Sequence, residues 1–62
     1  MDTIMVGDLV EERGTDSGWW VVLELYRNTP GNGTAAKLAL NHKPTCIAHC
    51  PVDRLTRVGS SR

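Results

Sequence analysis

The sequence contains no phenylalanine and only three aromatic residues, Trp19, Trp20 and Tyr26, in a chain of 62 residues. A chain of this length buries only about 60% of the surface that it exposes when unfolded. The length therefore excludes more than one domain. The core of such a domain supplies roughly 3–5 kcal/mol of stability. A disulfide, a metal ion or self-association would each add stability to so small a core.

Long apolar runs and an excess of one charge are also missing. No segment approaches the roughly 18 apolar residues of a membrane span, and the first residues lack the basic and apolar regions of a secretory signal. We therefore expect a cytoplasmic protein without membrane contact. Seven basic residues balance seven acidic ones. With no net field to attract polyanions, nucleic-acid binding would require a local basic cluster.

The sequence has only two cysteines, Cys46 and Cys50. Four strand residues span about 13 Å at roughly 3.3 Å each. The Cα atoms of a disulfide lie only about 4.4–6.8 Å apart. Two reduced thiols are therefore expected, with both cysteines acting as small apolar side chains.

Glycine and proline divide the chain into segments that are too short for ordinary helices. The 34–40 segment also has high helix propensity, but six or seven residues between turn signals barely make two turns, so we interpret it as a strand. The resulting prediction is an all-β domain with strands at 8–13, 19–26, 34–40, 45–50 and 56–58, a hairpin loop at 27–33 and a short 3₁₀ turn at 52–55. We expect an N-terminal arm at 1–6, a barrel at 7–58 and a flexible tail at 59–62.

The second strand is the most informative, because alternation along it defines two faces. One face is wholly apolar and is predicted to fill the core: Trp19, Val21, Leu23 and Leu25. The other face carries Trp20, Val22, Glu24 and Tyr26. A stripe of Trp20, Val22 and Tyr26 outside the core predicts an interface, most simply with a second copy of the chain. In the third strand Ala36, Leu38 and Leu40 share one face.

Three segments carry a resemblance to a known fold. They are Gly7-Asp8-Leu9-Val10, the tryptophan-containing strand that ends at Tyr26 and continues to Thr29-Pro30, and the final stretch from Pro51 to Val58. Together they resemble an SH3-like small barrel, and among such barrels the chain is similar to the plasmid-encoded type II dihydrofolate reductases from Gly7 to Val58. The resemblance implies five short strands and side-by-side assembly.

The reductase activity is not implied, because the residues that carry it differ. That family places a Val-Gln-Ile-Tyr segment around a central pore between identical chains, where this sequence has Ile47, Ala48, His49 and Cys50. Ala48 cannot make the hydrogen bonds of the glutamine amide. A pterin-like or nucleotide-like molecule bound in a pore between subunits, near Ala48 and Cys50, is one alternative function.

Four potential metal ligands, His42, Cys46, His49 and Cys50, lie within nine residues. Zinc sites usually combine two close ligands with a distant second pair, which is missing here. Neighbouring residues on a strand face opposite ways, so His49 is also badly placed to activate Cys50 as a nucleophile. We therefore expect no metal, no cofactor and no enzymatic activity.

Basic side chains near the carboxyl end offer a further alternative. Arg54 and Arg57, with Arg62, would form a small patch of the kind that holds single-stranded nucleic acid beside an aromatic residue. The zero net charge and the few aromatic residues favour a mixed-charge surface instead. The sequence thus predicts a non-enzymatic binding module whose partner is a second copy of the chain or another protein.

Overall fold

Antiparallel strands make up most of the chain. The computed structural model describes residues 4–15, 18–28 and 33–60. The strands are β1 (Asp8–Glu12), β2 (Trp19–Asn28), β3 (Gly33–Leu40), β4 (Lys43–Pro51) and β5 (Leu55–Ser60), with a 3₁₀ turn at Val52–Arg54 before β5. They form one sheet in the order β4-β3-β2-β1-β5. The predicted all-β class, with five strands and a 3₁₀ turn before the last one, is confirmed.

Glycine and proline set the ends of several strands. Gly14 and Gly18, on either side of the β1–β2 connection, have φ angles of 83° and 94°. Side chains other than hydrogen are disfavoured in this left-handed region. Pro51 ends β4 with a φ of −60° and leads directly into the 3₁₀ turn. These three residues therefore mark strand ends, whereas Pro44 lies within β4 and Gly59 within β5.

Several of the predicted boundaries are wrong. Strand β5 continues through Gly59 and Ser60, which pair with Leu9 and Asp8, so these two residues are not part of a flexible tail. Ile4 lies in the predicted N-terminal arm, yet it is buried in the core. Gly59 and Ser60 are ordered by pairing with β1, and the segment before β1 is held by burial of the Ile4 side chain. The predicted loop at 27–33 is too long, because Arg27 and Asn28 belong to β2 and Gly33 to β3, and Asn28 pairs with Gly33. Residues 29–32 lie outside the described residues.

A β-bulge in β2 decides which side chains enter the core. Val22 pairs with Leu38, but the next paired residue is Glu24, opposite Lys37, so Leu23 is an extra residue without a partner in the ladder. Before the bulge, Trp20 (7% exposed) and Val22 (1%) point inward, whereas Trp19 (47%) and Leu23 (43%) point outward. The predicted faces of this part of β2 are therefore reversed.

The reversal has a simple physical reason. Both faces of β2 are apolar between Trp19 and Leu23, so alternation alone does not distinguish inside from outside. The extra residue of the bulge shifts the alternation by one, and Leu25, which was predicted to face the core, packs against it. Glu24 and Tyr26 lie on the outer side, as predicted.

The core lies between the inner face of the curled sheet and the segments at its two ends. In β3, Ala36 and Leu38 are buried in it and Leu40 packs against it, so the predicted face of this strand is confirmed. The buried cluster consists of Ile4, Val10, Trp20, Val22, Ala36, Leu38, Cys50 and Leu55.

A buried ion pair joins β1 to β5. The carboxylate of Asp8 is 1% exposed, and its Oδ2 accepts hydrogen bonds from the Arg57 Nε–H at 3.2 Å and from the Met5 backbone N–H at 2.9 Å. A buried carboxylate requires such partners, because loss of hydration otherwise makes its charge very unfavourable. The Gly7-Asp8 motif thus fixes the start of β1 and holds the last strand in place.

Candidate functional site

The outer side of the sheet carries an apolar surface. One cross-strand row runs over four strands through the paired residues Leu9, Val21, Ala39 and Ile47. Trp19 and Leu23 flank Val21 on the same side of β2. Trp19, Leu23 and Ile47 are 47%, 43% and 44% exposed. We call this side the outer apolar face; its members are Leu9, Trp19, Val21, Leu23, Ala39 and Ile47. Ala39 is only 5% exposed, and Leu9 and Val21 are half-buried, so Trp19, Leu23 and Ile47 provide most of its exposed apolar surface.

The sequence of β2 accounts for this surface. A strand with one solvated face alternates apolar and polar residues, whereas a strand that is buried on both faces is apolar throughout. The run from Trp19 to Leu23 contains no polar residue. Its inward members, Trp20 and Val22, fill the core, and its outward members are left uncovered on the single chain. The strand therefore has the composition of one whose second face is also covered.

Polar residues border the outer apolar face on one side. The next outward row contains the paired residues Glu24, Lys37 and His49. The hydroxyl of Tyr26 lies 2.9 Å from Nδ1 of His49, and the two rings meet edge to face with their centroids 5.8 Å apart. This row brings one acidic and one basic side chain next to the apolar surface, so the surface as a whole has no strong charge.

Of the three residues predicted to form an interface, one lies on the outer side of the sheet and two lie in the core. Tyr26 is on the outer side, as predicted. Trp20 and Val22 are core residues, so the predicted stripe of Trp20, Val22 and Tyr26 does not exist as a surface. Sequence reasoning missed Trp19, Leu23 and Ile47 as surface residues. The uninterrupted apolar run of β2 was the signal that both of its faces needed to be considered.

Ala48 and Cys50 do not line an outward-facing pore. Cys50 is buried in the core cluster, and Ala48 packs against that cluster from the same side of β4. Burial, followed by the nearby carboxylate of Glu12, raises the pKa of the Cys50 thiol. The thiol therefore stays protonated at neutral pH and is a poor nucleophile. The residues of β4 that point outward are Ile47 and His49, because paired residues alternate across the sheet.

The described carboxyl-terminal arginines lie next to carboxylates. Arg57 is bound to the buried Asp8, and a guanidinium nitrogen of Arg54 lies 4.0 Å from the carboxylate of Glu12. Arg57 thus serves the β1–β5 junction, and the field of Arg54 is offset by its acidic neighbour. Arg62, the third member of the predicted patch, lies outside the described residues. The described arginines at this end do not form a free basic patch.

The two histidines and two cysteines that were considered as potential metal ligands do not converge. Both cysteines are free thiols; Cys46 is exposed and Cys50 is buried. His49 is engaged by Tyr26 on the outer side. Across residues 4–15, 18–28 and 33–60, no group of three or more histidine, cysteine, aspartate or glutamate side chains is arranged to hold a metal ion.

Among the residues that the structure describes, no helix is long and apolar enough to cross a membrane. No family model, curated protein or solved structure matches the chain, so its resemblance to the type II dihydrofolate reductases stays a prediction.

Proposed function

We propose that the chain is a small SH3-like, non-enzymatic binding module that self-associates through its outer apolar face. The observation that carries the proposal is the continuous row of Leu9, Val21, Ala39 and Ile47 across four strands, flanked by the exposed Trp19 and Leu23. Contiguous apolar surfaces with a polar border are typical of interaction sites. The strand order, with β5 beside β1 and a 3₁₀ turn before it, supports the SH3-like assignment.

A second copy of the chain fits this face better than the other partners that we considered. Single-stranded nucleic acid needs a basic groove, and Arg54 and Arg57 are already paired with carboxylates. The face has one acidic and one basic border residue, Glu24 and Lys37. Two copies of the same surface can therefore place each of these charges opposite one of the other sign. Association would bury Trp19, an aromatic residue of the kind that often dominates interface energies.

Sedimentation velocity of the parent chain and of Trp19→Glu tests the proposal. The parent should associate as its concentration rises from micromolar to millimolar, and Trp19→Glu should remain a monomer because a carboxylate would be buried without a partner. Circular dichroism should show that the variant keeps its β structure, because the core residues Trp20 and Val22 are unchanged.

Val6→Glu provides the matched control. Val6 is an exposed apolar residue in the segment before β1, outside the strands that carry the face, and it is 50% exposed. This variant should associate as the parent does. A parent that stays monomeric over the whole concentration range, or a Trp19→Glu variant that associates normally, would contradict the proposal.

A further inference from the structure

We infer that two copies pack outer face against outer face about a two-fold axis that runs parallel to the strands between β2 and β3, so that Glu24 of one copy lies opposite Lys37 of the other. This inference rests on the proposed function. It goes beyond it by assigning the symmetry of the pair and the two residues that determine its register.

The strand order gives this axis a special property. The apolar row crosses β4, β3, β2 and β1 in that spatial order. A two-fold axis between the two middle strands exchanges β2 with β3 and β1 with β4, and it keeps each residue at its position along the strands. Aligned packing of two sheets, within about 30° of parallel, is a common arrangement. Because the outer side of the curled sheet is convex, the two copies touch along the middle strands β2 and β3, and there each cross-strand pair of one copy lies over the same pair of the other.

The apolar row is complementary to itself under this operation. Val21 of one copy lies opposite Ala39 of the other, which places a larger side chain over a small one that is 5% exposed. Large side chains that meet small ones are the usual way in which packed faces interdigitate. An isologous interface makes this contact twice.

The polar row is complementary to itself as well. Glu24 and Lys37 are paired on β2 and β3, directly beside the axis. Under the exchange of these strands, each carboxylate lies opposite the ammonium group of the other copy. If the two-fold axis instead lay along the apolar row, perpendicular to the strands, it would reverse the strand direction between the copies. Glu24 and Lys37 of one copy would then lie over the Trp19 end of the other, against apolar side chains. Charge complementarity therefore favours the parallel axis.

A charge exchange between two chains tests the inference. Glu24→Lys alone brings two pairs of lysines together between copies, and Lys37→Glu alone brings two pairs of carboxylates together. Each variant should dimerise at least about tenfold more weakly than the parent, because close interfacial charge pairs are strongly coupled. An equimolar mixture of the two variants restores an opposite-charge pair at both places. It should form a heterodimer and recover most of the lost affinity.

The mixture also separates the interface from effects within one chain. In each variant Lys37 and Glu24 no longer form an opposite-charge pair inside the chain, and mixing does not change this. Attraction between oppositely charged molecules is controlled by a matched mixture of Asp53→Lys and Arg54→Glu, two exposed positions in the 3₁₀ turn. This control mixture should show no gain over its components.

Sedimentation and native mass spectrometry distinguish the outcomes. If the parent dimerises and Trp19→Glu does not, but the mixture of Glu24→Lys and Lys37→Glu gains nothing, the parallel two-fold arrangement is wrong while the outer apolar face remains the interface. If the parent does not associate at all, both proposals fail. A heterodimer that forms only in the charge-exchanged mixture supports the arrangement, provided that circular dichroism shows each variant folded.

Discussion

Replacing a leucine by alanine on each side of the sheet tests which side faces the core. Leu38 is 1% exposed in the middle of β3, and Leu23 is 43% exposed in the bulge of β2. Each Leu→Ala change removes the equivalent of three carbon groups at about 0.8 kcal/mol per buried group, or roughly 2.4 kcal/mol when burial is complete. At Leu38 the cavity adds to this, for a total of about 3–5 kcal/mol.

At Leu23 the expected cost is much smaller. Only about half of its side chain is covered, and the space that it leaves opens to solvent, so the loss should be about 1.4 kcal/mol or less. Because a domain of this size has roughly 3–5 kcal/mol of stability, Leu38→Ala should be largely unfolded while Leu23→Ala stays folded.

The assay is urea denaturation followed by circular dichroism and tryptophan fluorescence. It should be run on a dilute sample, where self-association does not contribute, and repeated at higher concentration. The cost of Leu23→Ala should grow with concentration, since Leu23 belongs to the outer apolar face. If Leu23→Ala is the more damaging change in dilute solution, Leu23 is the core residue and the corrected assignment is wrong.

Two further predictions concern the buried polar groups. Asp8→Asn removes the negative charge that Arg57 and the Met5 N–H bind. It should destabilise the fold by about 1.5–3 kcal/mol, the usual range for hydrogen bonds to charged groups. Asp53→Asn is the exposed control, and equal urea midpoints for the two variants would count against the ion pair. In a thiol-reactive dye assay at neutral pH, Cys46 should react rapidly and Cys50 slowly, because burial raises the pKa of the Cys50 thiol. Cys46→Ser should therefore abolish the fast phase, and a fast phase that survives in this variant would show that Cys50 is accessible.

Local signals in the sequence predicted the strands well. Aromatic and branched residues from Trp19 onward marked β2, and Pro51 with the residues after it marked the 3₁₀ turn before β5. In β3 the alternation was enough to group Ala36, Leu38 and Leu40 on one face, and the structure shows that this face is turned toward the core. These features depend on residues close together in the chain, so a single sequence contains them.

The faces of β2 were not predictable in the same way. Trp19 and Trp20 are equally suited to a core, and the choice depends on the bulge at Leu23, which in turn depends on the pairing of β2 with β3. The extension of β5 to Ser60 likewise depends on pairing with β1, not on the composition of the tail. Both errors arise where contacts between distant segments override the local pattern.

The apolar run of β2 links the fold to the proposed association. Its inward members already complete the core, so the outward Trp19, Val21 and Leu23 contribute little to the stability of an isolated chain and favour association once a partner covers them. Binding that requires the folded state also stabilises that state by mass action. Under the proposed association, a small domain with a core lacking phenylalanine would gain stability from the surface through which it binds. Folding itself would then depend on concentration.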